Sequence, residues 1–132
     1  MKVIDKVAYL HLRDGKILST RSKGKDKYYI PGGKREGNES DIETLVREVK
    51  EELCVDIVES TAHFYGIFEA QAHGKAEGII VKMTCYTEDF VGELKADSEI
   101  AEIVWLTTED IESVSPVDKL IFADLNAKGM LL

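Results

Sequence analysis

The stretch PGGKREGNESDIETLVREVKEEL, residues 31–53, decides how this sequence folds. It places Glu48, Glu51 and Glu52 within about one helical turn of Arg47, downstream of a Pro-Gly-Gly. Residues three and four positions apart lie side by side on a helix, so the three carboxylates share one face. Like charges at this spacing repel one another. The pattern therefore indicates either an ordinary solvated surface or a site that receives a positive charge.

The same stretch predicts a helix over residues 41–53. Ser40 and Glu43 have the spacing of a capping box, in which the serine caps the first turn and the glutamate reaches back. Apolar residues recur at helical spacing and form a stripe that is expected to face the core. The stripe consists of Ile42, Leu45, Val46, Val49 and Leu53.

Strand and turn signals surround this helix. Asp14-Gly15 is a typical two-residue hairpin turn, so residues 7–21 are expected to form two paired strands. Three further strands and a terminal helix, which starts with a serine N-cap and a proline, are expected at residues 61–72, 78–90, 102–106 and 115–129. Strands and two helices in this order predict a mixed α/β (α+β) fold with a sheet between helices.

Length and composition fit one globular domain over residues 1–132. The chain is 44% apolar and 32% charged and has no uninterrupted apolar stretch of ~20 residues, so no contact with a membrane is expected. Its net charge of −8 argues against binding to a nucleic acid polymer, which relies on lysine and arginine. Asp5 and Lys6 argue against a signal peptide, and Cys54 and Cys85 are expected to be reduced thiols. The expected location is the cytoplasm.

Two interpretations of the acidic face are open at this point. Solvated charged faces are common, and like-charge pairs on a helix surface cost only a few tenths of a kcal/mol each. Against this, Gly32 and Gly33 allow a sharp turn and the close approach of a ligand. Carboxylate and carbonyl oxygens, without histidine or cysteine, suit Mg²⁺ or Mn²⁺ better than zinc. Arg47 can pair with Glu39 or Glu51 and thereby fix the carboxylates.

These residues resemble the signature of the Nudix hydrolase family, of MutT-like type. The signature is Gly, five residues, Glu, seven residues, Arg-Glu, an aliphatic, any residue, Glu-Glu, any residue, Gly, an aliphatic. Eight of its nine fixed positions are in register here: Gly33, Glu39, Arg47, Glu48, Val49, Glu51, Glu52 and Val55. Cys54 stands in place of the final glycine. Because a left-handed conformation costs a residue other than glycine roughly 1 kcal/mol or more, a different path out of the helix is expected, with Cys54 buried and inert.

The resemblance implies a Nudix-type α/β/α sandwich with a mixed sheet, and a pyrophosphohydrolase. Such an enzyme uses one to three Mg²⁺ or Mn²⁺ ions and directs water at phosphorus. By resemblance, the Gly32 carbonyl, Glu48 and Glu52 are the expected direct metal ligands, and Glu51 is a ligand or orients the water. Glu48 is the expected general base. Arg47 completes the catalytic group by holding the carboxylates, and Glu39 is structural.

The sequence indicates fewer contacts outside the signature. By resemblance, Glu99 is expected to add a metal ligand, with Glu102 as the alternative, and a solvated acid is an equally open interpretation of both. Arg21 is a candidate for contact with phosphates, against the alternative of a solvated basic loop. Tyr29 and Phe68 are candidates for stacking on a base, although aromatic residues in strands often belong to the core. Gly33 completes the expected substrate-binding set.

The resemblance implies a small substrate in which a nucleoside diphosphate is linked to another moiety: a nucleoside triphosphate, ADP-ribose or a nucleotide sugar. The alternative is a catalytically silent Nudix-like module that binds a nucleotide as a sensor. The retention of Glu48, Glu51 and Glu52 favours the enzyme. A third interpretation, an acidic interaction domain, would make the signature spacing a coincidence. A homodimer is an expected assembly because dimers are common among such proteins.

Overall fold

A computed structural model describes residues 2–132. The strands are β1 (Lys2–Leu10), β2 (Leu12–Arg13), β3 (Lys16–Ser22), β4 (Gly32–Lys34), β5 (Asp56–Gln71), β6 (Ile79–Val91) and β7 (Ile100–Leu106). The helices are α1 (Asp41–Leu53) and α2 (Pro116–Ala127), and a 3₁₀ helix at Thr108–Ser113 precedes α2. No helix in this described range is long and apolar enough to cross a membrane.

The strands form two sheets. The larger sheet has the order β4-β1-β6-β5 and is mixed, because β1 runs parallel to β6 while the other neighbours are antiparallel. The smaller sheet has the order β2-β3-β7 and is antiparallel.

Alternate residues of β1 separate the core into two clusters. Val7 and Tyr9 pack in the cluster that contains the apolar face of α1, whereas Ala8 and Leu10 pack in the cluster that contains α2. Successive side chains of a strand point to opposite faces of its sheet. The two helices therefore cover opposite faces of the larger sheet, and the predicted mixed sheet between helices is confirmed.

The hairpin turn lies where the sequence predicts it, but its first strand is shorter. Asp14 and Gly15 have positive φ values of 55° and 76°, as the two-residue turn requires. Only Leu12 and Arg13 pair with β3. The strand is interrupted at His11. Residues 7–10 belong instead to β1, which pairs in parallel with β6. The prediction of a hairpin over residues 7–21 is therefore wrong for its first four residues.

Helix α1 begins and ends as local chemistry dictates. The Ser40 hydroxyl accepts a hydrogen bond from the Glu43 amide, and the Glu43 carboxylate accepts one from the Ser40 amide, so the capping box is confirmed. At the other end, Cys54 adopts the left-handed conformation with φ 61° and donates its amide to the Lys50 carbonyl. The expectation of a different exit path is wrong. Cys54 is also only partly buried, with its thiol 3.7 Å from Asp97 Oδ2.

The strand pair after α1 is longer than the sequence pattern indicates. Strand β5 begins at Asp56 rather than at residue 61, and its pairing with β6 shifts register between Val58 and His63. An irregular segment of this kind breaks the alternation of side chains on which a sequence prediction depends. The predicted α2 is confirmed, with Pro116 in its first turn.

Candidate active site

A cleft of about 610 Å³ runs beside the Pro-Gly-Gly segment, between the N-terminus of α2 and the carboxylates of α1. Part of its lining is apolar and includes Ile4, Ile30, Val81, Met83 and Val117. Another part is charged and includes Lys6, Lys34, Glu48, Glu52, Lys75 and Glu99. A cleft with an apolar part and converging charges suits a ligand that carries both a flat organic group and charged oxygens.

Glu48 lies directly against the Gly33 backbone. A Cβ atom placed on Gly33 would be 2.5 Å from both Cδ and Oε1 of Glu48. Any side chain at position 33 would therefore displace the carboxylate. The glycine is required here for close packing and not for its φ, which is not in the left-handed region.

Arg47 holds this arrangement from the side. Its guanidinium donates two hydrogen bonds of 2.8 Å to the Glu39 carboxylate, one of 2.8 Å to Glu48 and one of 3.0 Å to the Lys34 carbonyl. The bonds from Arg47 lower the pKa of Glu39 to about 2. Planar guanidinium groups fix carboxylates in position as well as in charge. Arg47 and Glu39 thus orient Glu48, and neither of them lines the cleft.

Glu52 is short of positive charge. Its Oε1 accepts a hydrogen bond of 3.1 Å from the Gly32 amide. The pKa of Glu52 is raised to about 8, chiefly by burial and also by the neighbouring Glu48 and Glu99, while the Gly32 bond and Lys6 act in the opposite direction. Burial also raises the pKa of Glu48. Two carboxyl groups whose charged forms are disfavoured together define a place where a cation would be stabilised.

The donor chemistry at this place fits a hard divalent ion. Glu48 and Glu52 offer only oxygen, and the Gly32 backbone lies within hydrogen-bond distance of Glu52. Within residues 2–132, no three His, Cys, Asp or Glu side chains already form a metal-binding group. Instead, the Glu48 carboxylate accepts a hydrogen bond from Arg47, and the Glu52 carboxylate accepts one from the Gly32 amide.

The predicted metal ligands differ in whether they line the cleft. Gly32, Glu48, Glu52 and Glu99 line the cleft. Glu51 does not: its side chain is 55% exposed, 3.8 Å from the Arg47 guanidinium. The alternative ligand Glu102 is also outside the cleft, because its carboxylate accepts hydrogen bonds from Arg21 and Tyr28.

Two of the four predicted substrate-binding residues line the cleft. They are Gly33 and Tyr29, whose ring lies near His73. Arg21 is directed away, into its 2.8 Å pair with Glu102. Phe68 stacks on Tyr65, with ring centroids 6.3 Å apart, and packs against the core cluster that contains α2. The prediction that Arg21 and Phe68 contact substrate therefore does not fit this cleft.

Asp118 is a residue that the sequence interpretation missed. It is fully buried, its Oδ2 accepts a 2.8 Å hydrogen bond from the Ile30 amide, and Oδ1 has no partner among the described residues. Burial raises its pKa to about 7. A signal existed in the sequence: Asp118 lies three and four positions before Ile121 and Phe122, so it falls on the apolar face of α2.

Comparison with known proteins agrees with this geometry. The chain matches the family model for the NUDIX domain over residues 4–125. It is 36% identical over 115 residues to the CTP pyrophosphohydrolase of Escherichia coli (strain K12), covering 83% of this chain and 80% of that protein. The solution structure of the E. coli ORF135 protein has a TM-score of 0.74 at 30% identity, covering 97% of this chain and 94% of that one. The MutT protein from Methanosarcina mazei Go1 has a similar fold, with a TM-score of 0.78 at 22% identity over 97% and 96% of the two chains.

The chain therefore belongs to the Nudix hydrolase family. It is an enzyme of the pyrophosphohydrolase class, which acts on acid anhydrides in phosphorus-containing compounds. Members of this family generally use divalent metals and act on small nucleotide substrates.

Proposed function

We propose that this enzyme hydrolyses a nucleoside triphosphate, through attack of water at phosphorus, with Mg²⁺ or Mn²⁺ as cofactor. The observation that carries the proposal is the pair of carboxyl groups, Glu48 and Glu52, whose charged forms are disfavoured by burial in a cleft that also has an apolar part. One domain over residues 1–132 would supply the whole site.

The proposed metal ligands are Glu48, Glu52 and the Gly32 carbonyl, with Glu99 as an added ligand and one to three ions in total. When bound, such ions neutralise phosphate oxygens and acidify water. Glu51 lies outside the cleft lining, so we assign it to a supporting role through Arg47 or through ordered water.

The chain's own residues supply orientation and proton transfer. We assign Glu48 as the general base, because the Arg47 bond and the Gly33 backbone hold its carboxylate in one place. Arg47 and Glu39 act as positioning residues for that base. Lys6, Lys34 and Lys75 are among the cationic side chains that line the cleft, and they are the proposed contacts for phosphate oxygens.

The apolar part of the cleft is the proposed site for the base. Tyr29, Ile30 and Val117 offer flat or aliphatic contact area. Asp118, which accepts a hydrogen bond from the Ile30 amide, is a buried polar group with an oxygen that has no partner among the described residues. The E. coli relative named CTP pyrophosphohydrolase makes CTP the first substrate to test.

The test is a panel of nucleotides with Mg²⁺ or Mn²⁺: the standard nucleoside triphosphates beginning with CTP, then ADP-ribose and nucleotide sugars. We expect release of a nucleoside monophosphate from CTP or a related triphosphate. Glu48→Gln and Glu52→Gln should lower turnover by orders of magnitude, while Glu93→Gln, a matched exposed control, should not. Normal turnover in the first two variants would contradict the site. Tight binding of nucleotide without turnover across the panel would favour the sensor interpretation instead.

The proposed setting is the cytoplasm, in line with Cys54 and Cys85 being free thiols. A homodimer is the proposed assembly. Sedimentation of the purified chain over a range of concentrations tests it, and a single monomer mass throughout would contradict it.

A further inference from the structure

A second depression, of about 550 Å³, shares no lining residue with the catalytic cleft. It is formed where β1 ends, beside the irregular pairing of β5 with β6. Its lining includes Ser60, Thr61, His63, Thr87, Glu88 and Asp89. We call it the Glu88 pocket.

The carboxylate of Glu88 has no hydrogen-bond donor among the described residues. The residue is only 4% exposed, and both Oε1 and Oε2 are buried without a partner. A buried carboxylate of this kind carries an unfavourable desolvation free energy unless a donor or a proton reaches it. Burial, together with the nearby Glu59, accordingly raises the pKa of Glu88 to about 7.

Several donors around Glu88 are engaged elsewhere. The Tyr9 hydroxyl donates to the Glu88 main-chain carbonyl at 2.9 Å, and His11 Nδ1 lies 3.0 Å from the same oxygen. The Thr61 hydroxyl donates to the Val58 carbonyl and accepts from the Asp89 amide. Ser60, His63 and Thr87, which also line the pocket, form no hydrogen bond with the Glu88 carboxylate either.

The charge of the lining selects the kind of ligand. Glu88 and Asp89 are acidic, and the lining contains no lysine or arginine within the described part of the chain. An anion is therefore disfavoured. No group of three metal-binding side chains is assembled in residues 2–132, so a metal ion also lacks its ligands here.

We propose that the Glu88 pocket binds the guanidinium group of a small organic cation. A planar guanidinium presents two parallel N–H donors, which match the two unpartnered oxygens of a single carboxylate. The hydroxyls of Ser60 and Thr87 and the carboxylate of Asp89 provide acceptors for the remaining donors. Entry requires movement of the rim, where Met130 is 38% exposed.

The test uses methylguanidinium as the probe and methylammonium as a control of equal charge without the planar pair of donors. Amide NMR shifts of Thr61 and Asp89 report on the pocket. We expect saturable shifts with methylguanidinium and, for methylammonium, an affinity weaker on the order of tenfold or more. Glu88→Gln should abolish the difference between the two probes and leave nucleotide hydrolysis unchanged, whereas Glu77→Gln, an exposed control, should change neither.

Equal affinity for both probes, no saturable shift, or shifts confined to residues of the catalytic cleft would each overturn the proposal. The comparison of the two probes uses the unsubstituted protein, so it decides the question even if Glu88→Gln does not fold. Unchanged discrimination between the probes in a folded Glu88→Gln protein would also overturn it.

Discussion

The contact between Gly33 and Glu48 makes a substitution at Gly33 a sensitive test of the site. In Gly33→Ala the new Cβ would begin 2.5 Å from the Glu48 carboxyl carbon, whereas real Cβ contacts almost never fall below 3.0 Å. The carboxylate must therefore retreat by about 0.5 Å or more. Gly33 does not have a positive φ, so alanine brings no backbone strain. A displacement of about 1 Å in a catalytic group can lower the rate by about 100-fold.

We therefore expect Gly33→Ala to lower kcat/KM, for whichever nucleotide of the panel is hydrolysed, by about tenfold to 100-fold. The free energy of unfolding should change by less than about 1 kcal/mol, because only the end of a flexible side chain has to move. Gly66→Ala is the matched control: Gly66 also lacks a positive φ, and its added Cβ would meet the Phe68 ring at an ordinary 3.4 Å. Steady-state kinetics and urea unfolding measure both quantities. Wild-type kcat/KM in a folded Gly33→Ala enzyme would refute the assignment of Glu48.

Three further substitutions probe other parts of the account. Arg47→Lys keeps the charge but loses the planar donors, so kcat/KM should fall by about tenfold to 100-fold in steady-state assays. An unchanged kcat/KM would contradict the assignment of Arg47 as a positioning residue. Cys54→Gly should raise the free energy of urea unfolding by about 1 kcal/mol, because glycine adopts the left-handed conformation without strain. Cys54→Ala should not raise it. Equal stability of the two variants would show that this strain is absent. The raised pKa of Asp118 means that the folded protein binds more protons than the unfolded chain between about pH 4 and pH 7, so this group makes stability fall as pH rises there. Asp118→Asn should accordingly gain stability relative to the wild type from about pH 5 to pH 8, and a difference that does not vary with pH would contradict the burial of a titrating acid.

Much of the fold could be predicted because local rules govern it. The capping box and the apolar stripe define α1 without reference to the rest of the chain. Asp14-Gly15 defines its turn in the same way. The interruption of the strand at His11 could not be predicted, because an alternating pattern of side chains does not say which of two sheets a strand joins.

In the candidate site, too, some features follow from the local sequence and others depend on distant contacts. Helical spacing brings Glu48 and Glu52 to one side of α1, and both line the cleft. The directions of Arg21 and Phe68 depend on pairing and packing partners far away in sequence, namely Glu102 and the residues around α2. Helical periodicity places Asp118 on the apolar face of α2, yet a charged residue in a terminal helix is usually exposed.

The most direct test of the central claim is calorimetric titration of Mn²⁺ into the purified protein without nucleotide. We expect saturable binding that Glu52→Gln weakens strongly and Glu93→Gln leaves unchanged, with protons released on binding because the pKa of Glu52 is raised to about 8. Absence of saturable uptake by the folded protein, or equal affinity in all three proteins, would contradict it.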